Sequence, residues 1–132
     1  MSFLAKLIID DKEYNVLSFS FGVDQPVSYG SNRPTGRPVI NQLNILIEST
    51  GNSGFFGWSV GLYEQKDGEI IFYKRDAMAS SRKLEFKGAF CVNYNESFDN
   101  SNSNPMVTRL VLAVESIALD GSEYVSPAVN NT

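Results

Sequence analysis

Alternation of apolar and polar positions runs through most of the chain. Phe3–Ile9 and residues 14–22 are two β-rich runs separated by Asp10, Asp11 and Lys12, the spacing and polarity of a hairpin. In the second run Leu17, Phe19 and Phe21 are expected on one face and Ser18 and Ser20 on the other, so one side is core and the other meets water or a partner. Residues 39–48 alternate again, with Val39, Leu43, Ile45 and Ile47 on one face. A turn at Lys66, Asp67 and Gly68 leads into a short apolar strand over residues 69–74. Leu84, Phe86, Phe90, Val92 and Tyr94 then mark one face of a long strand, with Glu85, Lys87, Ala89, Cys91 and Asn93 on the other. Residues 107–119 read as a last long strand. With Leu110, Leu112 and Val114 set against Val111 and Ala113, it is apolar on both faces and should be covered on both.

Two segments break the alternation. Residues 24–38 hold three prolines and two glycines without periodicity, which predicts a long loop. Its large side chains, Tyr29, Arg33 and Arg37, suit contact with another molecule; the plainer alternative is a mobile surface loop. Residues 54–65 are the helix candidate, with Phe55, Trp58 and Leu62 at i, i+3 and i+7 and with Asn52 or Ser53 placed to cap it. Gly54, Gly57 and Gly61 oppose a helix by about 1 kcal/mol each relative to Ala. At that spacing they would form a bare stripe for close backbone approach. The cluster of Trp58, Phe55 and Phe56 reads as core rather than as a ligand platform. The sum is about six or seven strands and one helix with no βαβ alternation. That predicts a mainly β fold, a small β-barrel or sandwich with one flanking α-helix, as a single domain over residues 1–132.

Composition then removes whole classes of function. The net charge of −4 over 132 residues, with scattered cations, argues against nucleic acid or an anionic membrane as partner. No apolar run approaches the roughly 20 residues that span a bilayer, and residues 1–10 lack the apolar core of a secretory signal. The expectation is a chain folded in the cytoplasm, exported only by a machine that reads no signal peptide.

The chain has no histidine and one cysteine, Cys91, which removes the commonest general base, zinc and iron-sulfur sites and any intrachain disulfide. No nucleotide-binding glycine motif is present. No catalytic, cofactor-binding or metal-binding residue is therefore assigned, and the chain is expected not to be an enzyme. Carboxylate-only chemistry stays open in principle, yet Asp10 and Asp11 read as turn formers. The Asn/Ser segment from Asp99 resembles a calcium loop superficially, but Asn104 and Leu110 stand where that loop needs Gly and Glu. Cys91 reads as a small, half-buried apolar side chain.

The residues also carry a likeness. Met1, Ser2, Phe3, Leu4, Ala5, Lys6 and Leu7, followed by Lys12, Glu13, Tyr14, Asn15, Val16 and Leu17, resemble the opening of the Hcp (TssD) tube proteins of Bacteroidota type VI secretion. Glu48, Ser49 and Thr50, then Trp58, then Lys66, Asp67 and Gly68 are similar in order and spacing. So are Phe72 through Asp76, Lys83 through Phe86, and Glu96, Phe98, Asp99, Asn104, Pro105 and Met106. The likeness is weakest over residues 30–38 and from residue 120 to 132.

The resemblance implies a hexameric ring that stacks into a hollow tube, carries effector proteins in its lumen, works with a contractile sheath and spike or baseplate proteins, and is itself secreted. In such a tube the 24–38 segment would project to the next ring, with Tyr29, Arg33 and Arg37 as its contact residues. A phage-tail-like tube protein and a β-sandwich carbohydrate-binding module are the alternatives.

Overall fold

The structure, a computed structural model, describes residues 3–40, 42–49, 54–74, 79–101 and 105–125. Ten strands and one helix follow in the order β1 (Phe3–Ile9), β2 (Lys12–Ser20), β3 (Val23–Asp24), β4 (Val39–Ile40), β5 (Leu43–Glu48), α1 (Phe55–Val60), β6 (Lys66–Lys74), β7 (Ala79–Phe98), β8 (Met106–Ala113), β9 (Ser116–Leu119) and β10 (Ser122–Val125). Six of them, in the order β7, β6, β1, β2, β5, β8 and back to β7, close an antiparallel barrel. The expected six or seven strands cover this barrel; they merge β4 with β5 and β8 with β9, and omit β3 and β10.

The hairpins form where the sequence allows left-handed backbone. Asp10 (φ 53°) and Asp11 (φ 61°) make a two-residue turn that pairs Ile9 with Lys12. Asp120 (φ 53°) and Gly121 (φ 85°) do the same between Leu119 and Ser122. Such turns match the right-handed twist of the strands they join, and Asp and Gly tolerate that conformation. The barrel interior is filled by Leu7, Ile9, Leu43, Ile45, Ile47, Ile70, Leu84, Phe86, Leu110 and Leu112, all 2% exposed or less.

Irregularities in the ladders correct several sequence expectations. The register of β2 against β5 shifts between Val16 and Ser18, so Leu17 is exposed while Phe19 and Phe21 pack against the core. One extra residue in a strand changes which face the later side chains take.

A larger break occurs at Gly88 (φ 62°), where β7 exchanges one neighbour for another. Leu84 to Lys87 pair with β9, and Phe90 to Phe98 pair with β8. The inward positions are Leu84 and Phe86 before the glycine, but Ala89 and Cys91 after it. Cys91 therefore lies in the core rather than on a polar face, and Val92 is exposed. Around the break, the Gly88 amide donates to Asp67 Oδ1 (2.9 Å) and the Gly88 carbonyl accepts from Gln65 Nε2 (3.2 Å). Gln65 also donates to Glu115 Oε1 (2.6 Å). A Cβ on Gly88 would lie 2.5 Å from the Glu115 carboxylate.

The expected final strand is likewise divided: β8 ends at Ala113 and β9 begins at Ser116. Lys66, Asp67 and Gly68 are not a turn but the start of β6, and a Cβ on Gly68 would lie 2.7 Å from the Phe86 ring. Val39 leaves the barrel face and pairs with Asp24.

Helix α1 packs against β7, and its Phe55 meets Tyr14 of β2. It is shorter than expected, because the chain turns extended at Gly61. Phe55 and Trp58 are buried, but Leu62 lies beyond the helix and is 82% exposed. Gly54 (φ 77°) occupies the N-cap position; Asn52 and Ser53, expected as caps, lie outside the described residues. The glycine stripe meets no close surface, since nothing lies within 4 Å of a Cβ built on Gly54 or Gly57.

Packing offsets the helix's poor propensity instead. Phe55 stacks against Tyr14 (4.9 Å) and Trp58 (6.2 Å), Trp58 Nε1 donates to the Glu64 carbonyl (3.0 Å), and Lys66 Nζ lies 5.9 Å from the Trp58 ring while pairing with Asp10.

Candidate functional site

The residues singled out for contact stand on a segment that the sequence presented as irregular. The structure folds it into a two-stranded ribbon. Val23 pairs with Ile40 and Asp24 with Val39, and Thr35 N–H donates to the Pro26 carbonyl (2.7 Å). Val27 bridges Pro34, Ser28 N–H donates to the Arg33 carbonyl (2.9 Å), and Asn32 N–H donates to the Ser28 carbonyl (3.2 Å). The tip turns through Gly30 (φ 91°) and Asn32 (φ 56°), with the Ser28 and Ser31 hydroxyls hydrogen-bonded across it. Gly36 is fixed by a close approach, since a Cβ there would lie 2.7 Å from Pro26 Cγ.

This ribbon is ordered by its own backbone and contributes almost nothing to the core. Every residue from 23 to 37 except Ser28 is exposed. Tyr29 is fully exposed at the tip. Arg33 stands opposite Ser28, the residue before Tyr29, and Arg37 lies further back on the second arm, so the three share one ribbon but not one cluster. Among the described residues no carboxylate pairs with either arginine. Val23, Val27 and Val39 add apolar surface in the open. Prolines at 26, 34 and 38 remove donors from the arms, which guards such exposed edges against indiscriminate strand pairing.

Elsewhere the chemistry is sparse. A cleft of about 430 Å³ lies between Phe19, Phe21, Phe72, Leu84 and Leu119. Its charged member, Arg82, is held by two hydrogen bonds to Asp120 Oδ2 (2.8 and 3.1 Å). Among the described residues no three His, Cys, Asp or Glu side chains gather as a metal site would require. The calcium-like segment runs partly outside the described residues; within it Asp99 Oδ1 accepts from the Ser101 amide (3.0 Å) and hydroxyl (2.6 Å), which hold its carboxyl below the usual value.

Burial pushes the Cys91 thiol up, and a backbone hydrogen bond at Asn93 opposes it more weakly. A hydrogen bond to Glu96, helped by desolvation, pushes Tyr94 up to about 12. Burial, then the Asp10 carboxylate, raise Tyr14, with Lys66 opposing.

The sequence reading missed a second exposed surface. Phe56, Val60, Leu62 and Tyr63 all face outward beside α1. Phe56 was read as core and Leu62 as part of the apolar stripe; instead Phe56 and Val60 point outward from α1 itself, and Leu62 and Tyr63 lie beyond its end.

The family model for "Hemolysin coregulated protein Hcp (TssD)" matches residues 1–126. No curated protein sequence matches the chain. Among solved structures, Hcp1 from Flavobacterium johnsoniae is 32% identical with a TM-score of 0.86, over 93% of this chain and 99% of that one. Hcp1 from Salmonella typhimurium shares the fold at 13% identity (TM-score 0.77, 97% of each chain). A chain in the sheath/tube terminator of an extracellular contractile injection system shares it more distantly, at 16% identity (TM-score 0.55, 88% of this chain and 92% of that one).

Proposed function

The chain belongs to the Hcp (TssD) family, and from that premise we propose how it acts as a subunit of the type VI secretion tube. Six copies close into a ring through a heterologous, head-to-tail contact around the rotation axis. Rings stack into a hollow tube that carries effector proteins, runs inside a contractile sheath and ends on spike or baseplate proteins. The tube is released from the cell with its cargo. The protein works as a structural element and carries out no reaction of its own.

The observation that carries the stacking role is the ribbon: eighteen residues (23–40) held in a defined shape by backbone bonds, with large side chains and cations offered to solvent. Ordering a segment costs conformational entropy, and contact with a second surface would offset part of that cost. Tyr29 supplies apolar area with a polar tip, and Arg33 and Arg37 supply cations on a chain of net charge −4. These contacts offset the repulsion between net-negative rings, and they weaken with salt because exposed pairs are screened over about 8 Å at physiological ionic strength.

The test is native mass spectrometry and electron microscopy of the parent beside Arg33→Glu/Arg37→Glu at matched concentration. Rings intact in both, with tubes shortened in the variant, is the expected result. Monomers in the parent would overturn the ring; tubes of equal length would overturn the ribbon's role.

A further inference from the structure

A stacking ribbon needs a receiving surface, and strand direction says where to look. β2 begins at Lys12 beside the Asp10–Asp11 turn and ends at Ser20, just before the ribbon departs. Eight residue steps of strand separate those points by about 26 Å, so they lie at opposite ends of the barrel. β6 begins at Lys66, whose ammonium pairs with Asp10 at 2.5 Å, and it comes directly after the segment that leaves α1. The Asp10–Asp11 turn and the α1 exit therefore lie together, at the end of the barrel opposite the ribbon.

That end has the complementary character. Residues 10–13, 62–67 and 115 hold six carboxylates (Asp10, Asp11, Glu13, Glu64, Asp67, Glu115) and two lysines (Lys12, Lys66). Lys66 neutralises Asp10, and Lys6 reaches Glu13 at 3.5 Å from within β1. Beside these acids Phe56, Val60, Leu62 and Tyr63 form an apolar ledge, the last two 82% and 80% exposed. Tyr63 is held at φ 61°, a left-handed conformation that a bulky residue adopts at a cost. A strained turn that holds two large apolar side chains in water marks a contact surface.

Resting on the stacking role above, we propose that this ledge, with Asp11 and Glu64, receives the ribbon tip of a second copy stacked head to tail. Tyr29 lies on the apolar ledge, and Arg33 and Arg37 face the carboxylates. The two surfaces differ and sit at opposite ends, so the contact is heterologous and repeats without closing, as a growing tube requires. Each contact is small, and repetition around a ring makes the stack hold.

A charge exchange tests this. Arg33→Glu/Arg37→Glu alone and Asp11→Lys/Glu64→Lys alone are each expected to cut mean tube length at least about tenfold, with rings intact by native mass spectrometry. The four changes together in one chain restore tubes, because every stacked interface then pairs opposite charges again. Parent-length tubes from the Asp11/Glu64 variant overturn the ledge while leaving the ribbon's role standing. Parent-length tubes from the Arg33/Arg37 variant overturn the ribbon's role, and this proposal with it. Two impaired pairs without rescue in the combination show that the surfaces do not meet, which also overturns it. Because Asp11 is in the left-handed region, Asp11→Asn with Glu64→Lys serves in place of the first ledge variant if that one loses its rings; Asn tolerates the conformation.

Discussion

At one end of the barrel Phe55 and Trp58 are buried under a six-residue helix, pinned by Tyr14, Lys66 and the Glu64 carbonyl. At the other end the ribbon carries Tyr29, Val27 and Val39 into solvent and is shaped by bonds within itself. Both segments have poor intrinsic propensity, one for its glycines and the other for its prolines. Tertiary packing rescues the first; local hydrogen bonding alone shapes the second. The contrast separates residues that make the fold from residues that use it.

Three substitutions would break or sharpen that contrast. The largest effect is expected from Trp58→Ala, which removes a nearly fully buried ring, leaves a cavity and frees the Glu64 carbonyl. Urea unfolding should report a loss of about 3–5 kcal/mol. Gly88→Ala, near the same end, places a Cβ in the left-handed region and against Glu115, and equilibrium unfolding should show about 1–3 kcal/mol lost. Tyr29→Ala should be smallest, within about 0.5 kcal/mol of the parent in the same assay, because it deletes no core contact. A large loss at Tyr29 would mean that the ribbon supports the barrel, and the division between the two ends would fail.

Legibility in the sequence divides along the same line. Strands with one continuous inward face, such as Leu43, Ile45 and Ile47, were readable because burial imposes a period of two. The Asp10–Asp11 hairpin was readable from its turn chemistry. Cys91 was misplaced because a single left-handed glycine at position 88 inverts the parity of positions 89 to 92, and nothing in local hydrophobicity signals it. Leu62 was misplaced because its helical spacing persists past the point where the backbone stops being helical. The ribbon was recognised as a place of contact through Tyr29, Arg33 and Arg37, but its paired backbone was invisible, since hydrogen bonds between exposed arms need no apolar pattern. The ledge beside α1 was hidden for the converse reason: its residues look like core.

Strand β8 has a consequence for how the protein comes into being. Met106–Ala113 supplies both remaining seams of the cylinder, to β5 on one side and to β7 on the other. A nascent chain that has reached only residue 105 holds a curled sheet whose β5 flank has no partner and whose apolar interior is open along that side. Closure waits for residues 106–113, and pairings as distant as Phe3 with Lys74 add to the delay. The interval between synthesis of β5 and arrival of β8 is when an unpaired strand can join the wrong neighbour.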